Sequence, residues 1–232
     1  MNKTGINYLD FTWNPVHGCS PISAGCKNCW ANTIAKRLAG MNVPGYDKQN
    51  PFKVTLHPDR LDEPLKVKKP AKIGVAFMGD LFHDNVPYKF IENVFEVMFQ
   101  CGHTFLLLTK RPENMRYAAD LILYPALSSK MFDNIWFGTS IEDQATADTR
   151  ILELLQIPAA VRYLSIEPML GPVDLSGYLG KAFNGMSERQ EEYTYNFGIN
   201  WVILGAESGP NRRPCKLEWM VDVVNQCQAA GV

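Results

Sequence analysis

Five short apolar runs recur along the latter part of this chain, and their spacing constrains its fold more than any other feature. They are KIGVAFM (72–78), HTFLLLT (103–109), NIWFGTS (134–140), VRYLSIE (161–167) and NWVILGA (200–206). The first four begin roughly thirty residues apart, the length of one strand-plus-helix unit in a parallel sheet. Helical patterns lie between them. YKFIENVFEVMFQCG puts Phe90, Val94, Phe95 and Met98 on one face and predicts a stop at Gly102. RPENMRYAADLILY opens with Pro112 in a first turn that tolerates it and turns Met115, Ala119 and Leu121 or Ile122 inward. EDQATADTRILELLQ and KLEWMVDVVNQCQAAG complete the set.

Strands this uniformly apolar predict a parallel sheet covered on its faces by helices. An opening unit fits in front of them: a strand within TGINYLDFTW, a long cysteine loop, and a helix over residues 31–38. The expected fold class is therefore α/β, a partial (β/α)6 TIM-like barrel, since six parallel strands are too few for a closed eight-stranded one. Residues 1–232 read as a single domain with two irregular excursions, 40–71 and 173–199. The rhythm calls for a further strand beyond Val232, so either the protein is truncated there or its sheet ends one element early.

Charge and apolar content exclude several classes. Apolar residues make up 46% and charged residues 20%, with a formal net charge of -1. That balance describes an ordinary globular protein and excludes a strongly basic nucleic-acid coat, while leaving room for a local basic groove. The N-terminus lacks a secretory pattern and the apolar runs are too short to span a bilayer, so a cytoplasmic location without membrane contact is expected.

In a reducing compartment, clustered cysteines are more often metal ligands or catalytic groups than disulfides. Cys19, Cys26 and Cys29 fall within eleven residues at C-x6-C-x2-C spacing. The other three, Cys101, Cys215 and Cys227, are scattered and read as small buried hydrophobes. Two arrangements suit the trio. With His17 it could form a closed Cys3His zinc site. Alone, it could hold a four-iron cube with one iron left open.

Each strand also runs into polar residues at its carboxyl end, where ligands gather in parallel sheets. Asp80, His83, Lys110, Arg111, Ser140, Glu142, Glu167, Glu207 and Ser208 are expected to face one rim with the cysteine loop. For any one of these, helix capping is the competing explanation. Glu167 and Glu207, directly after apolar strands, suit that explanation least.

A three-cysteine loop after the first strand of a six-unit partial barrel resembles the radical S-adenosylmethionine (SAM) enzymes. More closely, TWNPVHGCSPISAGCKNCWA, GDLFHDNVP, LLTKRPE, LSIEPMLGP, WVILGAESGP and the helix ending CQAAGV resemble a phage- and prophage-associated radical-SAM-like family of unknown function with a three-Cys motif, the phage gp-thirty-seven/gp-sixty-eight family. The resemblance covers nearly the whole chain. It implies a four-iron four-sulfur cluster on Cys19, Cys26 and Cys29, with SAM chelating the open iron and yielding a 5'-deoxyadenosyl radical that abstracts hydrogen. By position, it places Gly79 and Asp80 at the methionine amino group and Ser140 and Glu142 at the ribose. Glu167 and residues 205–207, including Gly205 and Glu207, then meet adenine or substrate.

The superfamily's usual spacing is C-x3-C-x2-C, and Asn28 stands where an aromatic normally precedes the last cysteine, with Trp30 following. The resemblance further implies a reductant such as flavodoxin or ferredoxin. A nucleic acid or nucleotide substrate is suggested by phage context and by Lys110, Arg111, Arg212 and Arg213 near Trp13, Trp30 and Trp136. The alternative is a zinc-stabilised module that binds nucleic acid or protein without catalysis.

Overall fold

A computed structural model describes residues 1–123, 133–180, 182–186, 192–196 and 198–232. The chain opens with a short edge strand β1 (Asn2–Lys3), antiparallel to β2 (Phe11–Trp13). Next come β3 (Val16–His17), helix α1 (Trp30–Gly40) and β4 (Thr55–Leu56), which pairs back on β3. The regular rhythm then sets in with β5 (Lys72–Val75), α2 (Tyr88–Phe99), β6 (Thr104–Thr109), α3 (Pro112–Leu123), β7 (Ile135–Ser140), α4 (Gln144–Leu155) and β8 (Val161–Ile166). A hairpin of β9 (Ala182–Met186) and β10 (Glu192–Asn196) follows as a separate two-stranded sheet, before β11 (Trp201–Leu204) and α5 (Leu217–Ala230).

The main sheet has seven strands in the order β1-β2-β5-β6-β7-β8-β11, and every pairing after the first is parallel. The fold is thus α/β with a mostly parallel sheet, and the five apolar runs and the opening strand supply its six parallel members. Sheet order follows chain order, so each strand end lies beside that of the next unit.

Both faces are covered, as the apolar strands require. Side chains alternate along a strand. On one face Ile73, Val75, Phe105, Leu107, Ile135, Phe137, Leu164 and Ile166 pack with the helices, which contribute Val94, Phe95, Met98, Met115, Ile151 and Leu154. On the other, Leu106 and Tyr163 are fully buried against Leu9. Ile6, Tyr8, Phe77, Trp136 and Trp201 pack around them. Residues 6–9 thus do on this face what helices do on the first, and the Tyr8 ring meets Trp201 edge-on at 5.2 Å.

Local differences have local causes. Gly102 is not the cap of α2: the helix ends at Phe99, and Gln100 takes the cap position. Ile122, rather than the exposed Leu121, packs inward from α3. Gly231 does cap α5, with φ +70. Residues 40–71 hold the paired strand β4 and two short 3-10 turns, and 173–199 hold the β9–β10 hairpin. Among the described residues, no helix is long and apolar enough to cross a membrane.

Candidate functional site

The carboxyl ends of the parallel strands open into a cavity of about 770 Å³. Cys19, Cys26 and Cys29 all line it, and none is in a disulfide. They sit on a loop that crosses the rim as a roof and is tied to it at four strand ends.

The first tie is backbone. The Gly18 N–H donates to the Met78 carbonyl at 3.0 Å, and Gly18 pairs with Gly79 in an isolated parallel bridge. A Cβ on Gly79 would come within 2.7 Å of the Gly18 carbonyl oxygen, so glycine there lets the two backbones touch.

The second tie is Arg111, just past β6 and almost wholly buried. Its guanidinium donates to Cys19 Sγ at 3.3 Å, to Asp80 Oδ2 at 3.1 Å, to the Ser20 carbonyl at 3.1 Å and to Ser20 Oγ at 3.0 Å. Asp80 is engaged at both oxygens, for its Oδ1 also accepts from Thr109 Oγ1 at 2.7 Å and the Phe82 N–H at 3.0 Å. His83 joins from the β5 loop. Its Nδ1 accepts from the Asn85 N–H at 3.0 Å, so in the neutral ring Nε2 carries the proton and donates to Ser20 Oγ at 2.8 Å. Burial, and then the Asp80 charge, push the Cys19 thiol up to about 11 against the pull of Arg111.

The third tie is Glu142, after β7, with 0% exposure. It accepts from Ser23 Oγ at 2.7 Å and pairs with Lys110 at 3.3 Å and Arg150 at 3.2 Å. Gly25 lies so close that a Cβ there would overlap the Glu142 carboxylate. The fourth tie is Glu207, after β11. It accepts from Asn28 Nδ2 at 3.0 Å, and from Arg213 through its backbone N–H at 2.7 Å, Nε at 2.9 Å and a second guanidinium nitrogen. These Arg213 bonds, with Asn28, bring the Glu207 carboxyl down to about 2.

Beneath the roof the wall is less occupied. Ser140, Ser165 and Glu167 line the cavity from the ends of β7 and β8. Glu167 is exposed, and among the described residues its only side-chain hydrogen bond is from Ser165 Oγ at 3.2 Å and it has no ion-pair partner. Gly205 does not line the cavity but makes room in it, since a Cβ there would overlap the Glu167 carboxylate.

Of the residues named from sequence, the structure brings Cys19, Cys26, Cys29, Gly79, Asp80, Ser140, Glu167 and Glu207 around one cavity, and leaves Glu142 and Gly205 behind its wall. His17 is elsewhere. Its ring is buried, stacks on Tyr46 at 4.3 Å and shares a 2.6 Å hydrogen bond with His57, and burial holds it down to about 4. It does not line the cavity with the cysteines, so the closed Cys3His set is not assembled. Among the described residues, no three His, Cys, Asp or Glu side chains converge so as to hold a metal ion.

The basic and aromatic rim is also altered. Lys110, Arg111 and Arg213 are each committed to a carboxylate. Trp13 is fully buried, with its indole N–H on the Arg60 carbonyl at 2.7 Å, and Trp136 packs with Leu9, Leu106 and Tyr163 on the sheet face away from the helices. Trp30 alone of the three keeps an open face at the cavity, 46% exposed. Sequence reasoning missed Arg150, which reads as an ordinary helix position, and His57, in a stretch without periodicity. Asn28 reads as a departure from a motif and proves to be a structural tie.

Fold and site together define an α/β protein with a mostly parallel sheet and a cysteine-roofed cavity at its carboxyl edge. The chain belongs to the DUF5131 family, proteins of unknown function, whose family model matches residues 3–232. No curated protein and no solved structure matches it.

Proposed function

We propose that this protein is a radical SAM iron-sulfur enzyme built on a partial (β/α)6 barrel, acting on a nucleotide or nucleic-acid substrate. The observation that carries the reading is that three unbridged cysteines of one loop all line a single cavity at the carboxyl ends of parallel strands. A four-iron four-sulfur cluster suits this donor set better than zinc. A cube binds each thiolate through a different iron, so the three sulfurs need not share one ion's shell. A closed zinc site needs a fourth ligand, and His17 is engaged with His57.

Cys19, Cys26 and Cys29 would hold the cluster, which when bound supplies the electron for reductive cleavage of SAM. The chain's own residues then have distinct tasks. Arg111 holds Cys19 and is itself held by Asp80, and so sets the near end of the roof. Glu142 and Glu207 hold the middle and far end through Ser23 and Asn28. The backbone at Gly79 and the Ser140 hydroxyl line the wall as contacts for SAM. The single-domain organisation, the cytoplasmic setting and a flavodoxin or ferredoxin reductant belong to the same proposal.

Anaerobic reconstitution tests it. The expected result is brown protein containing iron and sulfide that cleaves SAM to 5'-deoxyadenosine when reduced, with colour and cleavage both lost in Cys26→Ala. Stoichiometric zinc, no retained iron and no SAM cleavage would reject the reading in favour of a zinc-stabilised binding module.

A further inference from the structure

Three glutamates stand at the strand ends around the cavity, and their hydrogen-bonding capacity is spent very differently. Glu142 is neutralised by Lys110 and Arg150 and capped by Ser23. Glu207 is neutralised by Arg213 and capped by Asn28. Among the described residues Glu167 has neither a cation nor a roof contact; its one side-chain hydrogen bond is from Ser165 to Oε2, and Oε1 packs beside Gly205 without a hydrogen-bond partner. An ionised carboxylate can accept about four hydrogen bonds. Most of the capacity of Glu167 is therefore open to whatever enters.

Its surroundings narrow what that is. Tyr8, Thr12, Phe77, Ser140 and Ser165 line the cavity with it. The Thr12 and Ser140 hydroxyls have no hydrogen-bond partner among the described residues, and Tyr8 and Phe77 contribute half-buried aromatic rings. Lys110 lines the cavity too but is held by Glu142. Tyr8 lies close enough to feel the Glu167 charge, which adds to burial in pushing its hydroxyl up to about 12. Glu167 carries the charge left without a cation, so an N–H donor is attracted to it and a phosphate repelled from it.

We infer that Glu167 and Ser165 form a recognition site for a planar group presenting adjacent N–H donors, such as the N1–H and exocyclic amino edge of a guanine-type base or a guanidinium. A carboxylate accepts such a pair through both oxygens, and the aromatic side chains suit the flat face. The inference deepens the proposed function by naming the feature of the substrate that is read. It also places any phosphates of that substrate away from Glu167.

Binding titrations on the reconstituted protein, with and without SAM, test it using guanosine, 1-methylguanosine, adenosine and methylguanidinium as probes. Guanosine or methylguanidinium should bind. For guanosine, blocking N1–H with a methyl group or replacing the base by adenine should weaken binding about tenfold or more, the loss of one hydrogen bond to a charged acceptor. Glu167→Gln should cause a similar loss for whichever donor binds, and preference between the two probes identifies the source of the N–H pair. Binding of neither probe, equal binding of guanosine and adenosine, or unchanged affinity in Glu167→Gln would overturn the inference. Iron content and SAM cleavage of the wild-type protein are read separately, so failure of recognition is distinct from failure of the radical SAM reading.

Discussion

Two carboxylates at neighbouring strand ends, Glu142 after β7 and Glu167 after β8, live under opposite conditions. Glu142 is sealed from solvent between two cations and the cysteine loop, whereas Glu167 stands exposed on the cavity wall with one hydroxyl for company. The difference separates the roof from the wall beneath it. In the roof, charges at the anchors are matched, which fixes a long loop in one shape. On the wall a charge is left over, with no cation among the described residues to bind it into the fold.

Breaking the roof at Glu142 should have the largest effect. Glu142→Gln strands Lys110 and Arg150 beside a neutral amide, and removing one member of a buried charge cluster costs about 3 kcal/mol. Thermal unfolding should show a melting temperature lower by several degrees; an unchanged value would mean that Glu142 does not anchor the loop.

Glu207 should come next, with a pH signature. Its carboxyl is lowered from 4.5 to about 2 in the fold, so its contribution to stability is full above the ordinary value and lost as the pH falls through the lowered one. Glu207→Gln should cost about 2 kcal/mol at pH 7 by denaturant unfolding, consistent with hydrogen bonds to a charged acceptor. The gap from the wild type should narrow below about pH 4.5, and a pH-independent gap would show that the Arg213 pairing is not its source.

The smallest effect belongs to Glu167. Glu167→Gln should leave unfolding within about 0.5 kcal/mol of the wild type, as expected for an exposed side chain without a charged partner. A larger loss would place Glu167 with the structural anchors and erase the contrast.

Much of this was legible in the sequence. The strand rhythm survives because buried parallel strands must be apolar throughout, and the polar residues that end them are forced onto one edge by topology. Cysteine spacing marked the loop, and Cys19, Asp80 and Glu167 all reach the cavity. What escaped was the pairing between distant segments. Nothing near His17 announces His57, and nothing in α4 singles out Arg150 as the counter-charge of Glu142. Capping and recognition also draw on the same residue types. Asp143 does cap α4 through Thr146, while its neighbour Glu142 ties down the cysteine loop. Only the three-dimensional partners tell the two apart.

The contact of Tyr8 with Trp201 bears on how the protein is made. Tyr8 leaves the ribosome well before its partner on β11, since every unit from β2 to β8 lies between them. Until then the sheet face that residues 6–9 cover lacks part of its apolar packing, and the growing chain exposes surface that invites aggregation. So late a closure also implies slow folding, since contacts between distant segments must wait for the intervening units to assemble.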